Sequence, residues 1–363
     1  MKKTHNLPLL PPKVDYSQLI REIGEANRAI GELKGLLARL PNPNLLTTPL
    51  LTKEAVASSK IEGTQATIEE VFKYEAEGRN TEKDSKEQDI REIINYRFAI
   101  EDALNLIKER PIGENFIKQL HSTLLNSVRG ASKDRGNFRR IPVFIGKTGA
   151  KIEDAIYIPP NANELPNLLS NWEKYVNSEN EPDPIVQIAI AHYQLEAIHP
   201  FLDGNGRIGR LLIPIMLYYR NLLTHPILYI SEFFENNRDE YYYHLRRVDE
   251  NGDWVSWIKY FLNSITVQAS DTQKKVLNMY ALYSEVKEQL VRFNSQYAVH
   301  LLDIIFAQPI VSFSFIKEKL PASSIQTIYN LLDKFEQEKI LEEITKTKRN
   351  KTYVFKKLLD IIK

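Results

Sequence analysis

Twelve consecutive residues, His199 to Arg210 (HPFLDGNGRIGR), carry side chains suited to handling a polyphosphate. An imidazole stands at 199, a carboxylate at 203, glycines at 204, 206 and 209, and guanidiniums at 207 and 210. A glycine-rich turn that opens a helix is an anion site. Glycine lets backbone N–H groups approach phosphate oxygens, and the helix N-terminus adds a favourable dipole. Arg207 and Arg210 are three apart and share one face of the first turn, where forked donors suit two phosphate groups. Asp203 offers the hard oxygen that Mg2+ bound to phosphates takes. His199 supplies a base that works near neutral pH. Positioning and charge neutralisation do most of the work in phosphoryl-type transfer, and these are the parts it requires. Any one of these residues alone reads as part of an ordinary helix–loop–helix corner; together within twelve residues they do not.

The elements around the segment follow from apolar spacing. A helix over 184–198 carries His192 and is stopped by Pro200, and a second opens after the loop 202–206 and runs over 206–222. Further helices are expected over 15–40, ended by Pro41 and Pro43; over 49–61, ended by Gly63; and from Thr67, with Glu69 and Glu70 in the first turn. Others are expected over 89–109, 114–128, 162–177, 237–249 and 253–289. The polar stretch 75–88 reads as a loop between units. From Arg139 to Pro160 the pattern changes: Val143 and Ile145 alternate on one side of Gly146 and Gly149, and Ile156 and Ile158 on the other, as in a hairpin with a long loop. The last block predicts helices over 298–306, 313–319 and 322–338, then strands over 340–344 and 352–355 joined by the basic run KTKRNK. Three helices followed by a basic hairpin is winged-helix order. The fold class is therefore mainly α, divided into an N-terminal helical segment (1–88), a core (89–290) and a winged-helix block (296–363).

Composition narrows the function. The 48 Lys+Arg against 47 Asp+Glu give no global demand for a nucleic-acid or membrane partner, and 43% apolar residues suffice for real cores. The chain has no cysteine, which excludes disulfides, thiolate metal sites and a thiol nucleophile and fits a reducing cytoplasm. The start MKKTHNLPLLPP lacks a signal-peptide apolar run. The most apolar stretch, 211–223, contains Pro214, Tyr218, Tyr219 and Arg220 and is too short and polar to span a bilayer. The expectation is a cytoplasmic protein without a membrane partner.

HPFLDGNGRIGR resembles the Fic signature HxFx(D/E)GN(G/K)RxxR at every defined position, and the surrounding helices and hairpin resemble the Fic core over roughly residues 90–265. The resemblance implies a protein adenylyltransferase that moves AMP from ATP to a Tyr, Thr or Ser hydroxyl of a target protein or of itself. In that reading His199 takes the hydroxyl proton, and Asp203 holds Mg2+. Gly204, Asn205 and Gly206 form the anion hole for the α-phosphate, and Arg207 and Arg210 hold the β- and γ-phosphates. Ile208 and Gly209 complete the nucleotide-binding run. Kinase-like relatives carry Lys where this chain has Gly206, which favours adenylylation. The resemblance also implies that one of Tyr241, Tyr242 and Tyr243, best Tyr242, lines the adenine pocket, and that the target docks along the 139–158 hairpin by adding a strand. His192 and His244 receive no role, and His192 reads as a core histidine.

Ser58 and Glu62 are four apart on one face of a helix. SSKIEG, from Ser58, resembles the family's inhibitory motif (S/T)xxxE(G/N). The resemblance implies that Glu62 pairs with Arg210 in place of the ATP γ-phosphate and holds the enzyme mostly off. A guanidinium satisfies a carboxylate or a phosphate bidentately, but not both fully. Glu62 would equally suit orienting a water for AMP removal, so an enzyme acting mainly in de-AMPylation is one alternative. Another is a DNA-binding regulator with a nucleotide-sensing core, its winged helix gripping phosphates through KTKRNK. The recognition helix has a single basic residue, Lys334, before Lys339, so DNA is the lesser reading beside a protein partner or a homodimer.

Overall fold

A computed structural model describes residues 7–40, 42–78, 85–128, 132–146, 151–321, 323–345 and 351–363. In chain order the helices are α1 (Ile20–Leu37), α2 (Asn44–Ile61), α3 (Ile68–Glu77), α4 (Ser85–Leu106) and α5 (Glu114–Leu124). Next come α6 (Leu165–Val176), α7 (Pro184–Ile198), α8 (Asn205–Tyr219), α9 (Ser231–Asn236), α10 (Arg238–Asn251) and α11 (Trp254–Leu290). The chain ends with α12 (Ala298–Ala307), β1 (Ile310–Ser312), α13 (Phe313–Lys319), α14 (Ile325–Gln337), β2 (Glu342–Glu343), β3 (Thr352–Val354) and α15 (Lys356–Ile362). Among the described residues, no helix is long and apolar enough to cross a membrane. By packing, the chain forms two compact units: residues up to Gly35 with Asn95–Ala269, and Leu36–Ile94 with Ser270–Lys363.

In the first unit α7 is the central helix. It begins where Pro184 occupies the first turn, its missing N–H costing nothing there, and where the Asp183 carboxylate accepts from the Ile185 and Val186 N–H groups at 2.9 and 3.0 Å. Ile185, Ile188, Ala189, Ile190, Leu195 and Ile198 place apolar side chains all around it, and nearly every residue is buried. A helix apolar on all faces belongs inside a bundle. Two indoles fix its neighbours. Trp172 of α6 donates to the Ala191 carbonyl and Trp257 of α11 to the Ala189 carbonyl, both at 2.9 Å. Gln187 turns outward from α7 to donate to the Tyr175 and Ser178 carbonyls, closing the end of α6.

The second unit joins α2, α3 and α12 to a three-stranded antiparallel sheet in the order β1-β3-β2. Strand β1 abuts the end of α3, where Gln308 donates to the Phe72 carbonyl and Ser312 Oγ to the Ala76 carbonyl. The start of α3 is a capping box between Thr67 and Glu70.

Several elements depart from the expectations. Helix α2 starts at Asn44, five residues before Pro49, because buried Leu46 and Leu50 continue its apolar pattern and compensate the hydrogen bond that proline cannot make. Of the expected loop 75–88, all the described residues but Gly78 are helical: α3 runs to Glu77 and α4 starts at Ser85, with Tyr74 Oη donating to Glu87 at 3.0 Å and Lys86 paired with Glu70. The hairpin over 139–158 shows, among the described residues, one antiparallel bridge rather than two strands. Ile145 N–H donates to the Tyr157 carbonyl at 2.8 Å, and a 3-10 turn fills 152–154. Helix α9, strand β1 and helix α15 are additions, and the strand expected over 340–344 shortens to β2. Pro41, residues 79–84, Gly149, Ala322 and residues 346–350 of KTKRNK lie outside the described residues.

Trp257→Phe keeps much of the apolar bulk, but removes the indole bond to the Ala189 carbonyl, which keeps its intrahelical partner, and opens a small cavity. The variant should lose about 2 kcal/mol of stability, read as a lower urea midpoint with an unchanged m-value.

Candidate active site

The segment His199–Arg210 is the corner between α7 and α8, all within the first unit. His199 ends α7 in the left-handed conformation (φ 50°, ψ 61°) with its N–H still bonded to the Leu195 carbonyl. Pro200 cannot continue the helix. Gly204, at φ 74°, starts α8. That φ favours glycine, because a side chain there would meet its own backbone. Between them the buried Asn205 side chain staples the turn: its Oδ1 accepts from Phe201 N–H at 2.8 Å and its Nδ2 donates to the Phe201 carbonyl at 2.9 Å. Asn205 therefore has only its main chain left for a ligand. The Gly204 N–H is held by Asp203 Oδ1 at 2.7 Å, and Gly204, as the cap residue, has no side chain to bond the first turn of α8.

Two residues that sequence reasoning missed hold this corner. His121 of α5 stacks flat on Phe201, with ring centroids 3.8 Å apart. Gly136 N–H donates to its Nδ1 at 2.9 Å, so Nε2 carries the proton and donates to the Asp203 carbonyl, also at 2.9 Å. Burial pushes the His121 pKa down to about 4, which keeps this tautomer neutral. Arg139, 2% exposed, donates from Nε to the His199 carbonyl at 2.8 Å and from Nη2 to the Pro160 carbonyl at 2.6 Å. Its neighbour Arg140 is exposed. Sequence spacing offers no signal that separates the two arginines. The only hint for His121 is its place on the apolar stripe of α5 with Ile117, Leu120 and Leu124.

The candidate side chains converge. The imidazole of His199 is half-buried, with Nδ1 3.4 Å from the Glu196 carbonyl; this favours a proton on Nδ1 and leaves Nε2 as the basic nitrogen. Arg207 and Arg210 are buried although charged, and Arg207 Nη2 lies 3.6 Å from Asp203. Burial pushes the Asp203 pKa up, but the 3.0 Å bond from Lys133 and the Arg207 charge outweigh it, and the carboxyl titrates below its ordinary value. Among the described residues no cluster of three His, Cys, Asp or Glu could hold a metal alone. The donor set is one carboxylate beside an uncapped helix start. That fits Mg2+, which keeps most of its waters and binds through substrate phosphates with one or two carboxylates.

Ile208 faces the core, so only its main chain could reach a ligand. A Cβ at Gly209 would come within 2.3 Å of Glu196 Oε1, so the Glu196 carboxylate would have to shift, and would stand 3.4 Å from His192 Cε1. His192 is a core residue: its Nε2 lies 2.9 Å from Tyr241 Oη, and its ring sits among Phe234, Trp257 and Phe261. Of the three tyrosines of α10, Tyr241 is buried, while Tyr242 and Tyr243 are exposed. Tyr242 tilts against Tyr241 with centroids 5.3 Å apart and has the Arg238 guanidinium 5.9 Å from its ring. His244 stacks on Tyr260 at 4.7 Å. Ser58 and Glu62 belong to the second unit, where Ser58 is buried in α2 and Glu62 is its exposed C-terminal cap.

The depressed His121 pKa has a thermodynamic consequence. Free in the unfolded chain, the imidazole titrates near 6.5, so between that value and about 4 the unfolded state binds more protons. The stability that His121 contributes is present above pH 6.5 and is lost as the pH falls through about 4. Buried His192, depressed to about 3, acts in the same direction. At pH 5, unfolding of His121→Gln should therefore take up about one proton fewer than wild type, as measured from the pH dependence of the urea midpoint.

Residues 20–105 match the model described as Fic/DOC family N-terminal, and residues 111–217 match the model described as Fic/DOC family. The protein adenylyltransferase Fic of Drosophila grimshawi is 30% identical over 178 residues, covering 48% of this chain and 32% of that protein. Its counterpart in Drosophila persimilis is 29% identical over 200 residues, covering 53% and 36%. The chain thus spans roughly a third of the length of these curated relatives. A Fic family protein from Desulfovibrio desulfuricans G20 shares the fold with a TM-score of 0.58 at 21% identity, over 95% of this chain and 98% of that one. Fic-1 from C. elegans does so with a TM-score of 0.56 at 20% identity, over 72% and 74%. With two models of one family matched in tandem over more than half of its residues, this chain belongs to the Fic/DOC family.

Proposed function

We propose that the chain transfers AMP from ATP to a hydroxyl of a protein. The observation that carries this reading is the uncapped glycine start of α8, set between the half-buried His199 and two buried arginines. The name of the relatives, protein adenylyltransferase, supports it.

In this reading the nucleotide lies across the start of α8, its α-phosphate against the main-chain N–H groups of the 204–206 turn and its outer phosphates against Arg207 and Arg210. Nε2 of His199 takes the proton of the target hydroxyl as that oxygen attacks the α-phosphorus. The bond from the α-phosphorus to the bridging oxygen breaks, its electron pair leaves with that oxygen, and pyrophosphate departs with its added negative charge toward the arginines while His199 keeps the hydroxyl proton. Asp203 would hold Mg2+, which would supply further positive charge against the polyphosphate; Lys133, now bonded to Asp203 at 3.0 Å, is the cation that such a metal would compete with. Tyr242, exposed beside Tyr241, offers a ring face to adenine.

The brake is part of the proposal and rests on the sequence pattern at the end of α2. Ser58 is buried and Glu62 is presented at the exposed helix end. Glu62 would contest Arg210 with the γ-phosphate and hold the enzyme mostly off. Residues 296–363 are proposed as a winged helix, supported by α13, α14 and the β1-β3-β2 sheet.

Incubation with ATP and Mg2+ followed by intact-mass analysis tests both parts. Glu62→Gly should gain the mass of one or more AMP groups at least ~10-fold faster than wild type, on the scale of a lost bidentate arginine contact. Combining it with His199→Ala should lower the rate by a factor on the order of 100 or more. No mass gain in Glu62→Gly would refute the transfer, and equal rates in wild type and Glu62→Gly would refute the brake.

A further inference from the structure

Arg139 is the most buried cation outside the phosphate-facing segment, and all its side-chain hydrogen bonds go to main-chain carbonyls. Nε donates to His199 at 2.8 Å, Nη2 to Pro160 at 2.6 Å and Ile198 at 3.3 Å, and Nη1 to Ile141 at 3.4 Å. Its own N–H donates to the Pro200 carbonyl at 2.9 Å. These acceptors are three separate pieces of the molecule. Ile198 and His199 end α7, Ile141 lies on the outgoing arm of the 139–158 segment, and Pro160 closes its returning arm. A second tie runs in parallel, from Tyr157 Oη on the returning arm to the Ala197 carbonyl at 2.9 Å.

Capping alone explains part of this. The last carbonyls of a helix lack intrahelical partners, and a cation suits the negative end of the dipole. A surface lysine or a water would serve that purpose without burying a guanidinium, whose desolvation is costly. What a planar fork adds is direction: it holds several acceptors at fixed mutual angles, which a single ammonium cannot do. One of those acceptors is the carbonyl of His199 itself, a non-glycine residue held at positive φ. Such a conformation persists only where the surroundings over-determine it.

We propose that Arg139 is a positioning residue for His199: its guanidinium sets the main chain of the base, and through it the imidazole, against both arms of the 139–158 segment. The inference rests on the adenylyl-transfer reading, in which the target chain lies along that segment and its hydroxyl must meet Nε2 of His199. Placing the base and the platform on one rigid fork makes the distance between hydroxyl and imidazole a property of Arg139.

The test uses the full chain with Glu62→Gly as background and Arg139→Lys as the variant, which keeps the positive charge and the long aliphatic stem. Histidine ring signals are followed by NMR, with His199 assigned by His199→Gln, and turnover is followed by mass. In Arg139→Lys the His199 ring signals should shift or broaden while those of His225 and His300 stay in place. kcat should fall ~100-fold, as for a reactive group displaced by about an ångström, with KM for ATP within about twofold. Arg139→Gln, whose shorter amide presents an acceptor oxygen toward these carbonyls, should fall at least as far as Arg139→Lys. An unmoved His199 signal in a folded Arg139→Lys overturns the inference, as does a loss that appears in KM for ATP with kcat retained. If the Glu62→Gly background transfers no AMP, the transfer reading fails, and the His199 signal still decides whether Arg139 positions the imidazole.

Discussion

The site depends on the burial of α7 on nearly every face. A helix with one solvent face can shift or fray at its end. One enclosed by α6, α8 and α11, with two indoles bonded to its carbonyls, has nowhere to move. The residue at its C-terminus is therefore placed by the whole core of the first unit. His199 occupies that position, and its left-handed conformation turns the chain out of the helix and toward α8 within a few residues.

The turn that follows is held by a dense set of main-chain bonds rather than by many side-chain contacts. Asn205 staples Phe201 in both directions, and His121 stacks on Phe201 and holds the Asp203 carbonyl. Arg139 holds the His199 carbonyl. Three polar side chains are thus consumed in shaping the corner. The Asp203 carboxylate, paired with Lys133 and Arg207, and the glycine start of α8 lie on the corner so shaped, and preorganised donors need no reorganisation when charge develops.

Charge is unusually concentrated at this corner. Arg139, Arg207 and Arg210 are all buried, and Asp203 is held ionised by Lys133 and Arg207. Burying guanidiniums costs several kcal/mol each unless partners are well placed. Such a concentration of cationic groups on one corner favours an anionic neighbour. The neutral His121 and His192 fit this picture, since a further positive charge beside the arginines would be repelled as well as desolvated.

The amino-acid sequence by itself determined the helices with strong periodicity and clear stops. Helices α7 and α8 lie where Pro184, Pro200 and the glycine turn put them, because each of these residues sits at a helix end, where a missing N–H or a positive φ agrees with the local geometry. It also determined which residues could serve as base, carboxylate and clamps, since they sit within one twelve-residue run. The tertiary structure decided what local rules leave open. It buried Arg139 and exposed Arg140, though the two are the same residue type side by side. It turned Tyr241 toward His192 and left Tyr242 outward. It continued α2 through Pro49 and formed β1 from three residues whose partners lie some forty positions away. In each case the deciding term is a contact between distant parts of the chain, whose energy is absent from any window of sequence.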